Sequence, residues 1–269
     1  MNAPTPAVDR ALAKVPEITV YFWIVKVLTT AMGEATSDYL NQTLGPAIAV
    51  PLMLIGLIVA LRLQFRARGY VAWTYWLVVV MVSVFGTSAA DALHVGLGIP
   101  YVVSTLFYLV VLAAVFVAWY RSEHTLSIHS IYTRRRERFY WATVLATFAL
   151  GTAAGDMTAT SMHLGYLSSG VLFAMVIAVP AVAYRWGAVN EVAAFWFAYI
   201  VTRPLGASFA DWFDATRSHG GLAVGTGTVA VVLSVAIVAC VGLLSLTGVD
   251  ARRTAGAPHP LAALDMEFD

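Results

Sequence analysis

A motif that occurs four times with the same spacing restricts the fold of this chain more than any other feature. In each copy a glycine follows a tryptophan after ten residues, an aspartate follows after fifteen, and a small residue directly precedes the aspartate. The four sets are Trp23, Gly33 and Asp38; Trp76, Gly86 and Asp91; Trp141, Gly151 and Asp156; and Trp196, Gly206 and Asp211. Because a plainly apolar segment follows each copy, the repetition predicts four units of two helices.

Composition places these helices in a membrane. Hydrophobic residues make up 60% of the 269 residues and charged residues 12%, against roughly 25% charged in a soluble domain. Several runs approach or exceed the ~18 apolar residues of a spanning helix, and they lack the alternation of a transmembrane β-strand. We expect an all-α membrane protein with eight transmembrane helices in four parallel two-helix repeats, with pseudo-fourfold or two-plus-two symmetry about the membrane normal. The predicted spans are 19–41, 46–64, 72–94, 99–120, 138–161, 164–184, 190–213 and 222–246.

The positions of lysine and arginine predict the orientation. These residues lie before the first predicted span and after every second one, which indicates the cytoplasmic side. The motif tryptophans are expected as anchors at that interface. We expect five regions: a cytoplasmic N-terminal segment at 1–17, repeats 1 and 2 at 18–120, a cytoplasmic connector at 121–137, repeats 3 and 4 at 138–247, and a disordered cytoplasmic tail at 248–269.

The four aspartates lie within predicted spans, where a carboxylate is costly and normally faces the bundle interior. Each would lie near the C-terminal end of its helix, where the helix dipole disfavours an anion. Protonation, a basic partner or a bound cation must offset that cost. The motif glycine and the small residue four positions later would allow close helix packing, which assigns that role to Gly33, Gly86, Gly151 and Gly206. Alternatively, each aspartate caps the following turn through backbone N–H groups.

Further polar residues accompany the aspartates. Glu34 lies one turn before Asp38 on the same helical face, and Thr87 and Thr152 hold the equivalent positions in the next two repeats. These three, with the four aspartates, are candidate ion-binding residues. His94 follows Asp91 by three residues, and His163 lies near the turn after Asp156. The aspartates with these two histidines form a candidate ligand set for Mn²⁺, Zn²⁺ or Co²⁺, although they could equally carry protons, and the histidines could be structural.

Two basic residues lie inside predicted spans. Lys26 is close to Trp23, so we expect its side chain to extend to the cytoplasmic surface. Arg203 is deeper and has no equivalent in the other repeats. We expect it to pair with Glu34 or a motif aspartate, as a structural ion pair or a gate.

The units "KVPEITVYFWIVKVLTTAMGEATSDYL" and "FYWATVLATFALGTAAGDMTA" resemble an uncharacterised bacterial integral membrane protein family of four tandem two-helix repeats. Its members are called membrane-anchored proteins predicted to regulate amylopullulanase. The resemblance covers about residues 15–247. It implies a multi-pass protein of the bacterial inner (plasma) membrane, and we place both termini in the cytoplasm. It implies no catalytic or binding residue.

The residues favour a transporter or channel for a cation, with a divalent metal as the favoured substrate and proton coupling as an option. The rival hypothesis is a membrane scaffold or regulatory subunit in which the aspartates are structural. We expect no enzymatic activity, because a nucleophile elbow, a phosphate loop, an H-E-x-x-H motif and a cysteine cluster are missing from the sequence. We expect no cofactor other than a divalent metal ion as substrate. Expected partners are the lipid bilayer and a small cation or proton, without nucleic acid; homo-oligomerisation stays open.

Overall fold

The computed structural model describes residues 13–251, and all regular structure within that range is helical. Two π-helical turns, Ala92–Gly96 and Met157–Ser161, continue the third and fifth α-helices. A single residue, Ile177, separates the sixth and seventh, which together form one segment. The α-helices are α1 (Val20–Leu44), α2 (Pro46–Arg66), α3 (Ala72–Asp91), α4 (Tyr101–Glu123), α5 (Arg134–Asp156), α6 (Tyr166–Val176), α7 (Ala178–Arg185), α8 (Glu191–Asp214) and α9 (Thr226–Thr247).

Six helical segments are long and apolar enough to cross a bilayer. The chain is therefore a multi-pass membrane protein, as expected. Helices α1 and α5 are 25 and 23 residues long but are not among the six. Helix α1 carries Lys26, Glu34 and Asp38, and α5 begins with three arginines. The six segments are Pro46–Arg66, Ala72–His94, Tyr101–Glu123, Tyr166–Arg185, Glu191–Asp214 and Thr226–Thr247.

The first helix of each repeat lies inside the bundle. Helices α1, α3, α5 and α8 contact one another in cyclic order, and α8 closes against α1. The second helices lie outside, and each packs on the first helix of the following repeat: α2 on α3, α4 on α5, α6 on α8, and α9 on α1. The four repeats are therefore interlocked, since each one covers its neighbour.

Close contacts between the inner helices occur at the motif glycines. A Cβ atom on Gly33 would overlap Ser83, and one on Gly86 would lie 2.8 Å from the Cβ atom of Phe148. Added Cβ atoms on Gly151 and Gly206 would overlap Arg203 and Thr30 in the same way. Ser83, Phe148, Arg203 and Thr30 all lie eight residues before their own motif aspartate. The same contact thus recurs around the ring of inner helices, and a glycine permits it each time.

The motif tryptophans do not act as interfacial anchors in three of the four repeats. Trp76, Trp141 and Trp196 are buried in one aromatic cluster with Tyr75, Tyr140 and Tyr199, among others. Trp196 donates a hydrogen bond from Nε1 to the Leu126 carbonyl at 2.9 Å. The expected interfacial position was wrong for these three because the inner helices turn this face toward one another rather than toward lipid headgroups.

The chain segments beside α1 and α9 also contact the bundle. Lys14 Nζ donates to Glu137 Oε2 at 2.7 Å, and both side chains are buried. The Tyr70 hydroxyl donates to the Asp250 carboxylate, and burial raises the pKa of both groups. Residues 248–251 of the predicted tail thus lie against the protein, while 1–12 and 252–269 are outside the described residues.

Candidate functional site

The four motif aspartates converge in two groups. Asp91, His94 and Asp156 form the first, which we call the α3–α5 site; Glu34, Asp38 and Asp211 form the second, the α1–α8 site. Within each group, one potential ligand atom from each residue lies within 4.8 Å of the others. The sites exist because α3 contacts α5 and α1 contacts α8, so aspartates at the same motif position come together.

In the α3–α5 site an imidazole lies between two carboxylates. His94 Nε2 is 3.0 Å from Asp91 Oδ1 and 3.2 Å from Asp156 Oδ2. The ring of His94 packs against Tyr101, with 4.7 Å between ring centroids. Its side chain is 2% exposed, whereas those of Asp91 and Asp156 are 24% and 18% exposed. The imidazole is therefore enclosed by the protein, while both carboxylates reach the molecular surface.

The π-helical turns explain how this site is assembled. Asp91 and Asp156 are the last residues of α3 and α5, and a π-helical turn follows each one directly. His94 belongs to the first of these turns. Such turns are uncommon and frequently occur at functional sites. At the α1–α8 site, by contrast, α1 and α8 continue as α-helices beyond Asp38 and Asp211.

The α1–α8 site contains three carboxylates and no imidazole. Glu34 is buried, and Asp38 and Asp211 are half-buried. In the described part of the chain, no hydrogen bond reaches the Asp38 or Asp211 carboxylate from a backbone N–H group, and Asp91 and Asp156 likewise lack such a bond. The turn-capping explanation of the motif therefore has no support in the hydrogen bonds of these aspartates.

Arg203 connects all four repeats one turn below the aspartates. It is fully buried and forms an ion pair with Glu34, so one of its expected pairings is confirmed. Its guanidinium also donates to the hydroxyls of Thr87 and Thr152, the latter at 2.7 Å, and to the Thr30 carbonyl at 3.1 Å. Glu34, Thr87 and Thr152 occupy the same motif position in repeats 1, 2 and 3. The arginine of repeat 4 therefore bonds to the equivalent residue of every other repeat.

Lys26 does not extend to the surface, so that expectation was wrong. Its side chain is 1% exposed, and Nζ lies 4.1 Å from the ring centroid of Phe148 and 4.3 Å from that of Tyr199. These contacts are cation–π interactions. Among residues 13–251, Nζ has no hydrogen-bond partner, and no carboxylate pairs with it. Lys26 is consequently a buried amine that packs on two aromatic faces rather than a member of an ion pair.

His163 is the one predicted ligand that the structure leaves outside both groups. It is exposed in the turn before α6, with a φ of 55°, and its N–H donates to the Thr160 carbonyl. The seven residues after Asp156 end the helix and carry His163 away from the carboxylates. We therefore omit His163 from the candidate site.

Sequence analysis missed four residues that contact the candidate sites or join the inner helices beside them. Thr30 bonds to Arg203 through its carbonyl, which no side-chain pattern could indicate. Tyr101 supports the imidazole of His94 from the start of α4. Ser37 and Ser88 bond through their hydroxyls at 2.8 Å between α1 and α3, where no carboxylate pair forms. The small residue before the aspartate was the only available signal for Ser37.

Comparison with known families confirms the internal repetition. A family model described as a repeat of unknown function (DUF347) matches the chain four times, at residues 21–70, 74–125, 139–188 and 194–250. Each matched segment contains one motif tryptophan and one motif aspartate. Searches of curated proteins and of solved structures gave no significant match. The regulation of amylopullulanase that the resemblance implied has no support from these comparisons.

Proposed function

We propose that this chain, which belongs to the DUF347 repeat family, is a membrane transporter or channel for a cation, with a divalent metal ion as the favoured substrate. The observation that carries the proposal is the convergence of four intramembrane carboxylates in two groups without backbone partners. Ionisable residues in a membrane interior are costly and typically mark ion pathways or proton relays. The negative charge in both sites suits a cation.

The proposed topology has eight spans in four parallel repeats, with both termini in the cytoplasm of a bacterial cell and the protein in its plasma membrane. Helices α1 and α5 complete the eight, because Lys26 and Glu34 of α1 are buried inside the bundle and the arginines of α5 lie at its N-terminal end. Lysine and arginine on the connections support this orientation.

The proposed symmetry is two-plus-two, because each site joins one half of the chain to the other. Asp38 of repeat 1 meets Asp211 of repeat 4, and Asp91 of repeat 2 meets Asp156 of repeat 3. Exchanging the halves converts one pair into the other. A rocking motion of repeats 1 and 2 against repeats 3 and 4 would therefore change both sites together, as in transporters built from repeats.

Arg203 is the proposed gate. Its guanidinium lies among all four inner helices, so a cation that passes between them must displace it. Arg203 shares Glu34 with the α1–α8 site, which gives an arriving cation a direct way to compete for that carboxylate. Pro204 follows Arg203 inside α8 and removes one backbone donor, which makes the helix easier to bend at this point.

Flux into vesicles tests the proposal. The purified protein would be reconstituted with a metal-sensitive dye inside, and influx of Mn²⁺, Zn²⁺ and Co²⁺ would be measured. We expect Asp38→Asn, Asp91→Asn, Asp156→Asn and Asp211→Asn each to reduce influx about tenfold or more, because each removes a carboxylate from the proposed cation pathway. Glu191→Gln is the matched control, since Glu191 is an exposed carboxylate that pairs with His129 outside both sites.

A scaffold or regulatory subunit is the second candidate. The buried bonds of Arg203 favour it, because they would equally hold a static bundle together. That function predicts that the four Asp→Asn variants change stability or assembly without any change in influx. Transport of every tested cation at the wild-type rate by all four variants would refute the transport proposal.

A further inference from the structure

We infer that the α3–α5 site, rather than the α1–α8 site, binds a divalent transition metal ion such as Zn²⁺, Co²⁺ or Mn²⁺ through His94 Nε2 and the carboxylates of Asp91 and Asp156. This inference rests on the proposed cation function and assigns its metal to one of the two sites.

The distances between donor atoms fit a metal of this class. Around a tetrahedral ion with bonds of about 2.0–2.1 Å, neighbouring ligand atoms lie about 3.3 Å apart. The Nε2 atom of His94 is 3.0 Å and 3.2 Å from the two carboxylate oxygens, so two of the three donor separations are close to that arrangement, and all three lie within 4.8 Å. One nitrogen and two oxygens favour a borderline metal over Mg²⁺ or Ca²⁺, which prefer oxygen ligands alone.

The contacts in the α3–α5 site also require a hydrogen or a metal ion between the donor atoms. An Nε2 lone pair directed at two ionised carboxylates would be strongly disfavoured. Either a hydrogen, carried by Nε2 or by a carboxyl group, or a metal ion must therefore lie between the three groups. A metal would replace that proton, since metal ligands bind in their deprotonated forms.

The surroundings of His94 favour an exchangeable metal over a permanent structural one. Three protein donors leave at least one coordination position for water, as in sites that exchange ligands. The partly exposed carboxylates leave one side of the site open at the molecular surface, while packing on Tyr101 holds the imidazole. The Nδ1 atom of His94 is buried and has no partner within residues 13–251, so ring packing replaces the hydrogen bond that commonly orients a metal-binding histidine.

The α1–α8 site lacks these features. Its three side chains offer only oxygen, and Glu34 Oε2 already accepts hydrogen bonds from Arg203 and Thr87. The Glu34 carboxylate is therefore already paired, which leaves Asp38 and Asp211 as the remaining oxygen donors of this site. A set of oxygen ligands without a nitrogen gives no reason to assign it a borderline transition metal.

Titration of the purified protein in detergent with Co²⁺, followed by the visible absorption of the bound ion, tests the assignment. We expect a single equivalent to bind the wild-type protein. His94→Gln, Asp91→Asn and Asp156→Asn should weaken Co²⁺ binding by about 100-fold or more, because each removes a ligand atom. Asp38→Asn and Asp211→Asn should leave the affinity and the spectrum close to wild type, and Glu191→Gln should not alter either.

Each outcome decides the assignment. If the wild type binds Co²⁺ and the α1–α8 variants abolish binding while the α3–α5 variants retain it, the assignment is wrong and the cation function stands. If the wild type binds no Co²⁺, His94 is a structural partner of the aspartates and the assignment is wrong; vesicle influx then judges the proposed function separately. Three independent variants of the α3–α5 site guard against a single one that fails to fold, as checked by size-exclusion chromatography.

Discussion

The α3–α5 and α1–α8 sites are equivalent in the order of repeats but obtain their positive charge differently. At the α3–α5 site the charge is local, because His94 lies three residues after Asp91 and directly contacts both carboxylates. The position three residues after Asp211 holds Asp214, a further acid. At the α1–α8 site the charge comes instead from Arg203, through Glu34. The repeats thus keep an aspartate pair at both sites, but a histidine contacts the pair at the α3–α5 site, and an arginine pairs with the neighbouring glutamate at the α1–α8 site.

The residue one turn before the aspartate shows the same divergence. Glu34 of repeat 1 corresponds to Thr152 of repeat 3, and both bond to Arg203. Only Glu34 carries a charge that balances the guanidinium. The packing around the α1–α8 site should therefore depend on Arg203 for stability far more than the packing around the α3–α5 site does.

The largest expected effect comes from removing the charge of Glu34. Glu34→Gln leaves Arg203 buried without its counter-charge and should lower the free energy of unfolding by about 3–5 kcal/mol. Thr152→Val, the change at the same motif position in repeat 3, removes the hydrogen bond from Arg203 and the one that the Thr152 hydroxyl donates to the Phe148 carbonyl, and should cost about 2 kcal/mol. Chemical unfolding in detergent, followed by tryptophan fluorescence, measures both values.

Two controls sharpen this comparison. The double variant Glu34→Gln with Arg203→Met should recover much of the lost stability, because the buried charge is removed with its partner. Lys26→Met should be neutral or stabilising, since Lys26 has no carboxylate partner within the described chain. A Glu34→Gln cost no greater than that of Thr152→Val would contradict the distinction between the two sites.

A smaller difference is expected at the glycine contacts that hold the two sites together. A methyl group on Gly206 would lie 2.7 Å from the Cβ atom of Thr30 and 2.9 Å from the backbone nitrogen of Ala31. A methyl group on Gly86 would lie 2.8 Å from the Cβ atom of Phe148 but 3.7 Å from the nearest backbone nitrogen. Both alanine variants should cost about 1–3 kcal/mol through overpacking, with Gly206→Ala the more costly. The melting temperatures of the two variants measure which substitution costs more stability. Equal costs would show that both helix contacts adjust to an added methyl group equally well.

The smallest effect concerns an acid outside both sites. Burial raises the pKa of Asp250 despite the hydrogen bond from Tyr70. The protonated form is therefore favoured in the folded state, and its stabilising contribution is complete below the unfolded pKa of about 3.9 and is lost as pH rises through the folded pKa. Asp250→Asn should remove this loss, so the stability of the wild type relative to the variant should fall from about pH 4 upward. If the free energies of unfolding of the wild type and of Asp250→Asn change with pH in the same way across that range, Asp250 does not titrate as expected. Any pH dependence of stability would then come from the acids of the two sites.

The repeated motif was sufficient to predict an all-helical chain of four repeats. Its spacing predicted which helices carry the aspartates, and the family comparison confirmed the four repeats. The break at Ile177 within the sixth predicted span has no equivalent in the motif and was not foreseen. Three motif tryptophans were misplaced because a preference for the interface says nothing about which helical face meets another helix.

The candidate site was predicted residue by residue but not in its pairing. Asp38, Asp91, Asp156 and Asp211 were identified, yet spacing along the chain could not decide whether they converge in one group or two. His94 and His163 were both candidates from sequence; His94 lies within the π-helical turn that follows Asp91, whereas His163 lies beyond the one that follows Asp156. Lys26 was misjudged because its aromatic partners, Phe148 and Tyr199, belong to other repeats.

The packing of α9 on α1 has a consequence for biosynthesis. Helix α9 belongs to the fourth repeat, so α1 waits for this outer neighbour until that repeat has been synthesised. During that interval Lys26, Glu34 and Asp38 lack the surroundings that later shield them, because Arg203 belongs to the same late repeat. We therefore expect the insertion machinery or the membrane surface to hold α1 until the fourth repeat arrives.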